Sequence, residues 1–96
     1  LDLTEAEAKD ILQEATSKQQ SANDLYQFTS VVNEQYDNDQ KFELLKQLWI
    51  VAYADGQVDR YEEHMIRKLS DLLHLAHSQF IRAKILARDE MDDNQV

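Results

Sequence analysis

Apolar residues recur along this chain at intervals of three and four, the spacing that places side chains on one face of an α-helix. Polar clusters interrupt the pattern four times, and each interruption carries residues that cap or end helices. The pattern therefore predicts five helices joined by short connections. Their expected ranges are residues 5–17, 24–35 after an Asn23 cap, 41–54 after a turn at 37–39, 60–73 after an Asp59 cap, and 78–88.

The third predicted helix differs from the others because it is apolar on all sides from Leu48 to Ala54. A helix without a polar face is enclosed by its neighbours, so we expect residues 41–54 to lie at the centre of a bundle. The chain has one glycine and no proline, whereas hairpins and sandwiches need turn residues at frequent intervals. The predicted fold is all-α, a small single-domain bundle of about five helices, followed by a frayed acidic tail over residues 89–96.

Charge and composition exclude several classes of function. A net charge of −9 repels phosphates, so we expect no binding to nucleic acid or anionic lipid. The longest apolar run is far shorter than the roughly 20 residues that span a bilayer, and no membrane insertion is expected. The absence of cysteine excludes disulfides and thiolate metal sites. No secretory signal is visible, which favours the cytoplasm.

The segment from Asp55 to Glu63 holds the densest chemistry in the sequence. Gly56 permits a sharp turn, and Val58 is expected to anchor that turn to the core. Asp59 and Glu62 have the spacing of a capping box, in which each side chain accepts a hydrogen bond from the other residue's backbone N–H. Helix capping explains each of these residues except Asp55, and it is the favoured interpretation of the segment.

A divalent cation site (Ca²⁺, Mg²⁺, Mn²⁺ or Zn²⁺) is the alternative interpretation of the same segment. Its candidate ligands are the carboxylates that the end of one helix and the start of the next would bring together: Asp55, Asp59, Glu62 and Glu63. Hard cations bind several such oxygens. The segment is not an EF-hand, however, because Val51 and Tyr53 occupy the first and third positions, where that loop carries oxygen ligands.

Aromatic residues flank the acidic turn. Trp49, Tyr53 and Tyr61 are predicted to pack between helices, with the rim of a partner-binding groove as the alternative.

His74 and His77 have a spacing that zinc ligands use, but two nitrogens alone make a poor site. We expect no enzymatic activity, because no serine has a flanking glycine and no histidine is spaced to activate one.

The stretch Val51-Ala52-Tyr53-Ala54-Asp55-Gly56-Gln57-Val58-Asp59, with Glu62 or Glu63, resembles the TerB-like domain of tellurite-resistance and stress proteins. The resemblance extends over residues 45–88. In that family an all-helical bundle contains two similar halves, each with an Ala-Asp-Gly-x-Val-Asp-x-x-Glu turn. One such turn is present here, and residues 1–15 are similar to the helix that closes the first half. The resemblance therefore implies a domain that lacks part of its N-terminal half.

The resemblance also implies a function. Acidic turns of this family are suspected of binding metal ions or partners, and no enzymatic activity is established for it. We expect a non-enzymatic stress-response module that presents Asp55, Asp59 and Glu62 or Glu63 to a divalent cation or a basic protein partner. The alternative is a purely structural interaction domain, associated with co-chaperones or membrane complexes, whose turn only caps helices. Apolar surface left by absent helices predicts a homodimer.

Overall fold

The computed structural model describes residues 5–17, 22–54, 56 and 58–93. Over these ranges the chain forms helices and no strand, which confirms the predicted all-α class. The helices are α1 (Glu5–Thr16), α2 (Ala22–Gln35), α3 (Asn38–Ala54), α4 (Arg60–Leu72) and α5 (His77–Asp93). None of them is long and apolar enough to cross a membrane.

Helix α3 is the centre of the bundle, as its apolar character predicts. It packs most extensively against α5, then against α1, and also contacts α4. Leu45, Leu48, Trp49 and Ala52 are completely shielded from solvent on its successive turns. Burial of a leucine side chain contributes about 1.5–3 kcal/mol, so this one helix supplies a large share of the hydrophobic stabilisation.

Two predicted helix starts need correction. Asn23 does not cap α2, because α2 already begins at Ala22. Helix α3 begins at Asn38, three residues before the expected Lys41, with Asp37 as its cap. The backbone N–H of Gln40 donates to Asp37 Oδ1 at 2.8 Å, and the Asp37 N–H donates to Gln40 Oε1 at 2.9 Å. The predicted cap cluster at 37–39 is thus confirmed, with a glutamine completing a second capping box.

The connection between α4 and α5 also lies one residue earlier than expected, at residues 73–76. The N–H of Leu73 donates to the Leu69 carbonyl oxygen at 2.9 Å, which closes the last turn of α4. His74 adopts a φ of +61°, a conformation that histidine visits more readily than most residues other than glycine. Leu75 is then buried and anchors the connection to the core.

The apolar spacing of α5 predicts burial of Phe80, Ile81, Ala83 and Ile85, and for the two isoleucines this prediction is wrong. Their side chains are 39% and 45% exposed, whereas Phe80, Ala83 and Ala87 are buried. Phe80, Ala83 and Ala87 form one stripe along α5, the helix that packs most extensively on α3. Ile81 and Ile85 lie outside the stripe because each successive residue turns about 100° around the helix axis.

Helix α5 ends at Asp93, beyond its predicted end at residue 88, and so extends into the acidic segment that is predicted to fray. Residues 94–96 lie outside the described part of the chain. Glu90 forms an ion pair with Lys46 of α3, with 3.1 Å between Oε1 and Nζ. Partial burial lowers the pKa of Lys46, but the hydrogen bond to Glu90 and the charges of Glu43 and Glu90 outweigh it and raise the pKa overall.

A hydrogen bond between side chain and backbone joins α2 to α4 and could not be read from the sequence. Asn33 donates through Nδ2 to the carbonyl oxygen of Leu72 at 3.0 Å. Leu72 is the last residue of α4, where carbonyl groups have no partner within the helix. The asparagine therefore supplies a tertiary cap for α4 and links α2 to the end of that helix.

Two matched isoleucine truncations test this division between core and surface. Ile66 of α4 is completely buried, so Ile66→Ala is expected to lower the free energy of unfolding by about 2–5 kcal/mol. Ile85→Ala is the control and is expected to change it by no more than about 0.5 kcal/mol. Urea unfolding followed by Trp49 fluorescence measures both. Equal losses in the two variants would contradict the exposed position of Ile85.

Candidate functional site

The turn between α3 and α4 has the geometry that its sequence predicts. Gly56 adopts a φ of +116°, a region that side-chain-bearing residues rarely enter. Its N–H donates to the Tyr53 carbonyl oxygen at 3.0 Å, which ends α3. Val58 is partly buried against the core, as expected. A Cβ at residue 56 would meet no atom within 4 Å, so the need for glycine comes from the backbone conformation.

Asp59 and Glu62 form the predicted capping box at the start of α4. The N–H of Glu62 donates to Asp59 Oδ1 at 2.7 Å, and the Asp59 N–H donates to Glu62 Oε1 at 3.4 Å. The first bond is short, whereas the second is longer than the usual distance of about 2.7–3.2 Å in an N–H···O hydrogen bond. Capping is thus a confirmed role of these two carboxylates.

Glu63 makes a longer-range contact. Its Oε1 accepts a hydrogen bond from Lys84 Nζ of α5 at 2.8 Å. The same Nζ lies 5.3 Å from the ring centroid of Trp49, within the range of a cation–π interaction. Glu63 therefore helps to hold α5 against α4. Sequence reasoning missed Lys84 because 21 positions separate it from Glu63, and no local pattern signals such a pair.

The structure describes three of the four carboxylates of the predicted cation site. Asp55 lies outside the described residues, and nothing in the structure places it. Within the described ranges, no three or more Asp, Glu, His or Cys side chains come together as a group that could hold a metal ion. His74 and His77 are among the residues covered by this finding, and the His77 ring stacks on Phe80 with 5.7 Å between centroids.

The three aromatic residues near the turn differ in exposure. Trp49 is completely buried between Tyr53 and Phe80, which agrees with the predicted packing between helices and not with the alternative of a groove rim. Its indole N–H has no hydrogen-bond partner among the described residues. Tyr53 is half-buried and Tyr61 is 46% exposed. These two tyrosines remain at the surface, where a partner could reach them.

A cavity of about 320 Å³ lies beside the turn. Asp59 and Glu62 form part of its wall, together with Tyr61 and with Lys9 of α1. The capping box thus sets two carboxylates side by side at a concave surface. Lys9 brings a positive charge to the same cavity, which reduces the local excess of negative charge.

A comparison with protein families decides the identity of the chain. The family model for tellurite resistance protein TerB matches residues 1–85. The chain belongs to the TerB family.

The TerB match covers far more than the segment around the acidic turn. It includes the whole of α1 to α4 and the first half of α5. No curated protein and no solved structure matches this TerB chain. The acidic turn and the helices that hold it are therefore parts of one family domain.

The capping role of Asp59 in this TerB domain can be separated from its charge. Asp59→Ala removes the side-chain acceptor and is expected to cost about 1 kcal/mol of stability. Asp59→Ser and Asp59→Asn retain an oxygen that can accept a hydrogen bond from the Glu62 N–H. Both are therefore expected to lower the free energy of unfolding by only about 0.3 kcal/mol. Urea unfolding at pH 7 measures the series. Equal losses for alanine and asparagine would show that the cap contributes little.

Proposed function

We propose that this TerB domain, related to tellurite resistance, is a non-enzymatic binding module that acts in the response to chemical stress. Its acidic turn, comprising Asp55, Asp59, Glu62 and Glu63, is proposed to face a divalent cation or a basic protein partner. The observation that carries this proposal is the placement of Asp59 and Glu62 side by side in the wall of a cavity.

Capping leaves these carboxylates able to bind a ligand. A carboxylate has two oxygens with about four lone-pair positions, whereas the capping hydrogen bonds engage Oδ1 of Asp59 and Oε1 of Glu62. Hard cations such as Ca²⁺ and Mg²⁺ bind carboxylate oxygens of this kind. A basic partner would also be attracted by the net charge of −9.

The second candidate function is a protein-interaction domain in which the turn only caps α4. Two contacts favour it, because Glu63 is already paired with Lys84 and because Lys9 shares the cavity with Asp59 and Glu62. Each lysine supplies the positive charge that a bound cation would otherwise bring. In this case the domain would act in a co-chaperone or membrane complex through other surfaces.

The proposal of a non-enzymatic role rests on the absence of activated nucleophiles in the sequence. The chain has no cysteine, and its one glycine flanks no serine. Ser70 is also completely buried, so a substrate could not reach it in this fold.

A homodimer in the cytoplasm remains part of the proposal. Ile81 and Ile85 of α5 offer an exposed apolar surface for self-association. Light scattering at high protein concentration is expected to give a dimeric mass, and a strictly monomeric mass would contradict this part.

Thermal unfolding of chelated protein, with and without millimolar Ca²⁺, Mg²⁺, Mn²⁺ or Zn²⁺, tests the cation. Binding to the native state is expected to raise stability by about 2.7 kcal/mol at a hundredfold excess over the dissociation constant. The double variant Asp55→Asn/Asp59→Asn should abolish this rise while retaining the cap. Asp71→Asn/Asp89→Asn removes the same charge from exposed positions elsewhere and should respond like the wild type.

The Lys9→Gln variant makes this experiment more sensitive, because removal of the lysine's positive charge should strengthen binding of a cation in the cavity. If no ion stabilises the wild type or Lys9→Gln, the cation is excluded. An oligolysine peptide then tests the basic partner through NMR shifts of residues 58–63. Absence of shifts there would leave capping as the role of the turn.

A further inference from the structure

A second concave surface lies on the other side of α1. Helices α1 and α2 enclose a groove of about 940 Å³, which we call the α1–α2 groove. Helix α1 packs chiefly on α3 and α4, and α2 contacts α4. The apolar side chains that line the groove are Ile11, Ala15, Leu25, Phe28 and Val31. Ala15 and Leu25 are buried, whereas the other three are incompletely covered.

The groove has an apolar floor that remains in part open to solvent. Ile11 and Phe28 are only partly buried, and Val31 is 51% exposed. Phe28 and Val31 lie three residues apart and so share one face of α2. Exposed apolar surface of this kind, bordered by polar residues, is typical of protein-interaction sites.

The charges at the groove indicate which kind of segment would bind there. Its charged lining residues, within the described part of the chain, are Asp10, Glu14 and Asp24, and all three are acidic. Asp10 and Glu14 are four residues apart and follow one edge of α1. Such a border attracts lysine and arginine and repels acidic segments. It also disfavours a second copy of this chain, whose own groove carries the same negative charge.

The dimensions suit a short helix. An α-helix is about 10 Å across, so a groove of this volume corresponds to about two turns, or roughly eight residues. Two turns present apolar side chains at positions i, i+4 and i+7, the anchor spacing of helices that bind in grooves. We propose that the α1–α2 groove binds a basic amphipathic helix of a partner protein, with its apolar face on Phe28 and Val31 and its basic residues near Asp10 and Glu14.

This site is separate from the acidic turn. The two concave surfaces share Gln13 of α1 and otherwise use different residues of that helix: Lys9 and Thr16 line the cavity beside the turn, whereas Asp10 and Glu14 line the groove. The Asp55→Asn/Asp59→Asn variant should therefore retain binding at the groove. Failure of either proposal leaves the other intact.

Two labelled peptides of about 15 residues test the groove, both with leucine at i, i+4 and i+7. One has lysine on its polar face and the other has glutamate there. Fluorescence anisotropy at low and physiological salt measures their affinity for the protein. The lysine peptide should bind at least about tenfold more tightly than the glutamate peptide, and the difference should shrink with salt.

Variants locate the binding site. Val31→Gln, at an exposed position, and Asp10→Asn/Glu14→Gln should each weaken binding of the lysine peptide about tenfold. Their controls are Ile85→Gln and Asp71→Asn/Asp89→Asn, which remove an exposed aliphatic side chain and two exposed carboxylates outside the groove and should bind like the wild type. Circular dichroism confirms that each variant is folded.

Several outcomes would overturn the proposal. The first is that both peptides bind with equal affinity. The second is that the groove variants and their controls weaken binding of the lysine peptide equally. The third is that the lysine peptide has no dissociation constant below about 1 mM, which corresponds to only about 4.1 kcal/mol of binding free energy. A dimer in sedimentation that Val31→Gln dissociates would assign the groove to a second copy instead.

Discussion

Burial of α3 on all sides is the constraint on which the rest of this structure depends. Isolated helices of 12 to 17 residues are marginal in water, so α1, α4 and α5 are stable chiefly because they pack against an apolar neighbour. Helix α3 provides that neighbour with Leu45, Leu48 and Ala52 fully shielded on successive turns. Its apolar end also places Trp49 at the point where α5 crosses, with Lys84 of α5 over the indole ring.

The acidic turn is a direct consequence of this arrangement. Helix α3 has to end where its apolar segment ends, and the chain has to reverse before α4 can pack against it. Gly56 provides the reversal through its positive φ, and Asp59 satisfies a backbone N–H at the start of α4. The residues that make the turn stable are thus the ones that concentrate negative charge there. Capping and the proposed ligand binding draw on the same carboxylates.

The parts of the bundle far from α3 have a different character. Helix α2 is joined to α4 by the bond from Asn33 to the Leu72 carbonyl, and it leaves Phe28 and Val31 incompletely covered. Apolar side chains that the core does not cover are available to a partner. In this TerB domain the central helix accounts for stability, whereas binding is proposed at the acidic turn and at the α1–α2 groove.

Local patterns in the sequence determined the helical class, the central position of α3, the glycine turn and the Asp59–Glu62 capping box, because each depends on residues within one or two turns of each other. The same patterns wrongly predicted that Ile81 and Ile85 lie in the core. Apolar spacing alone does not tell how wide a stripe of α5 is covered by the neighbouring helices. Tertiary structure decided that width, paired Glu63 with Lys84 and left the α1–α2 groove open. These features depend on how helices distant in the sequence meet, which no local pattern encodes.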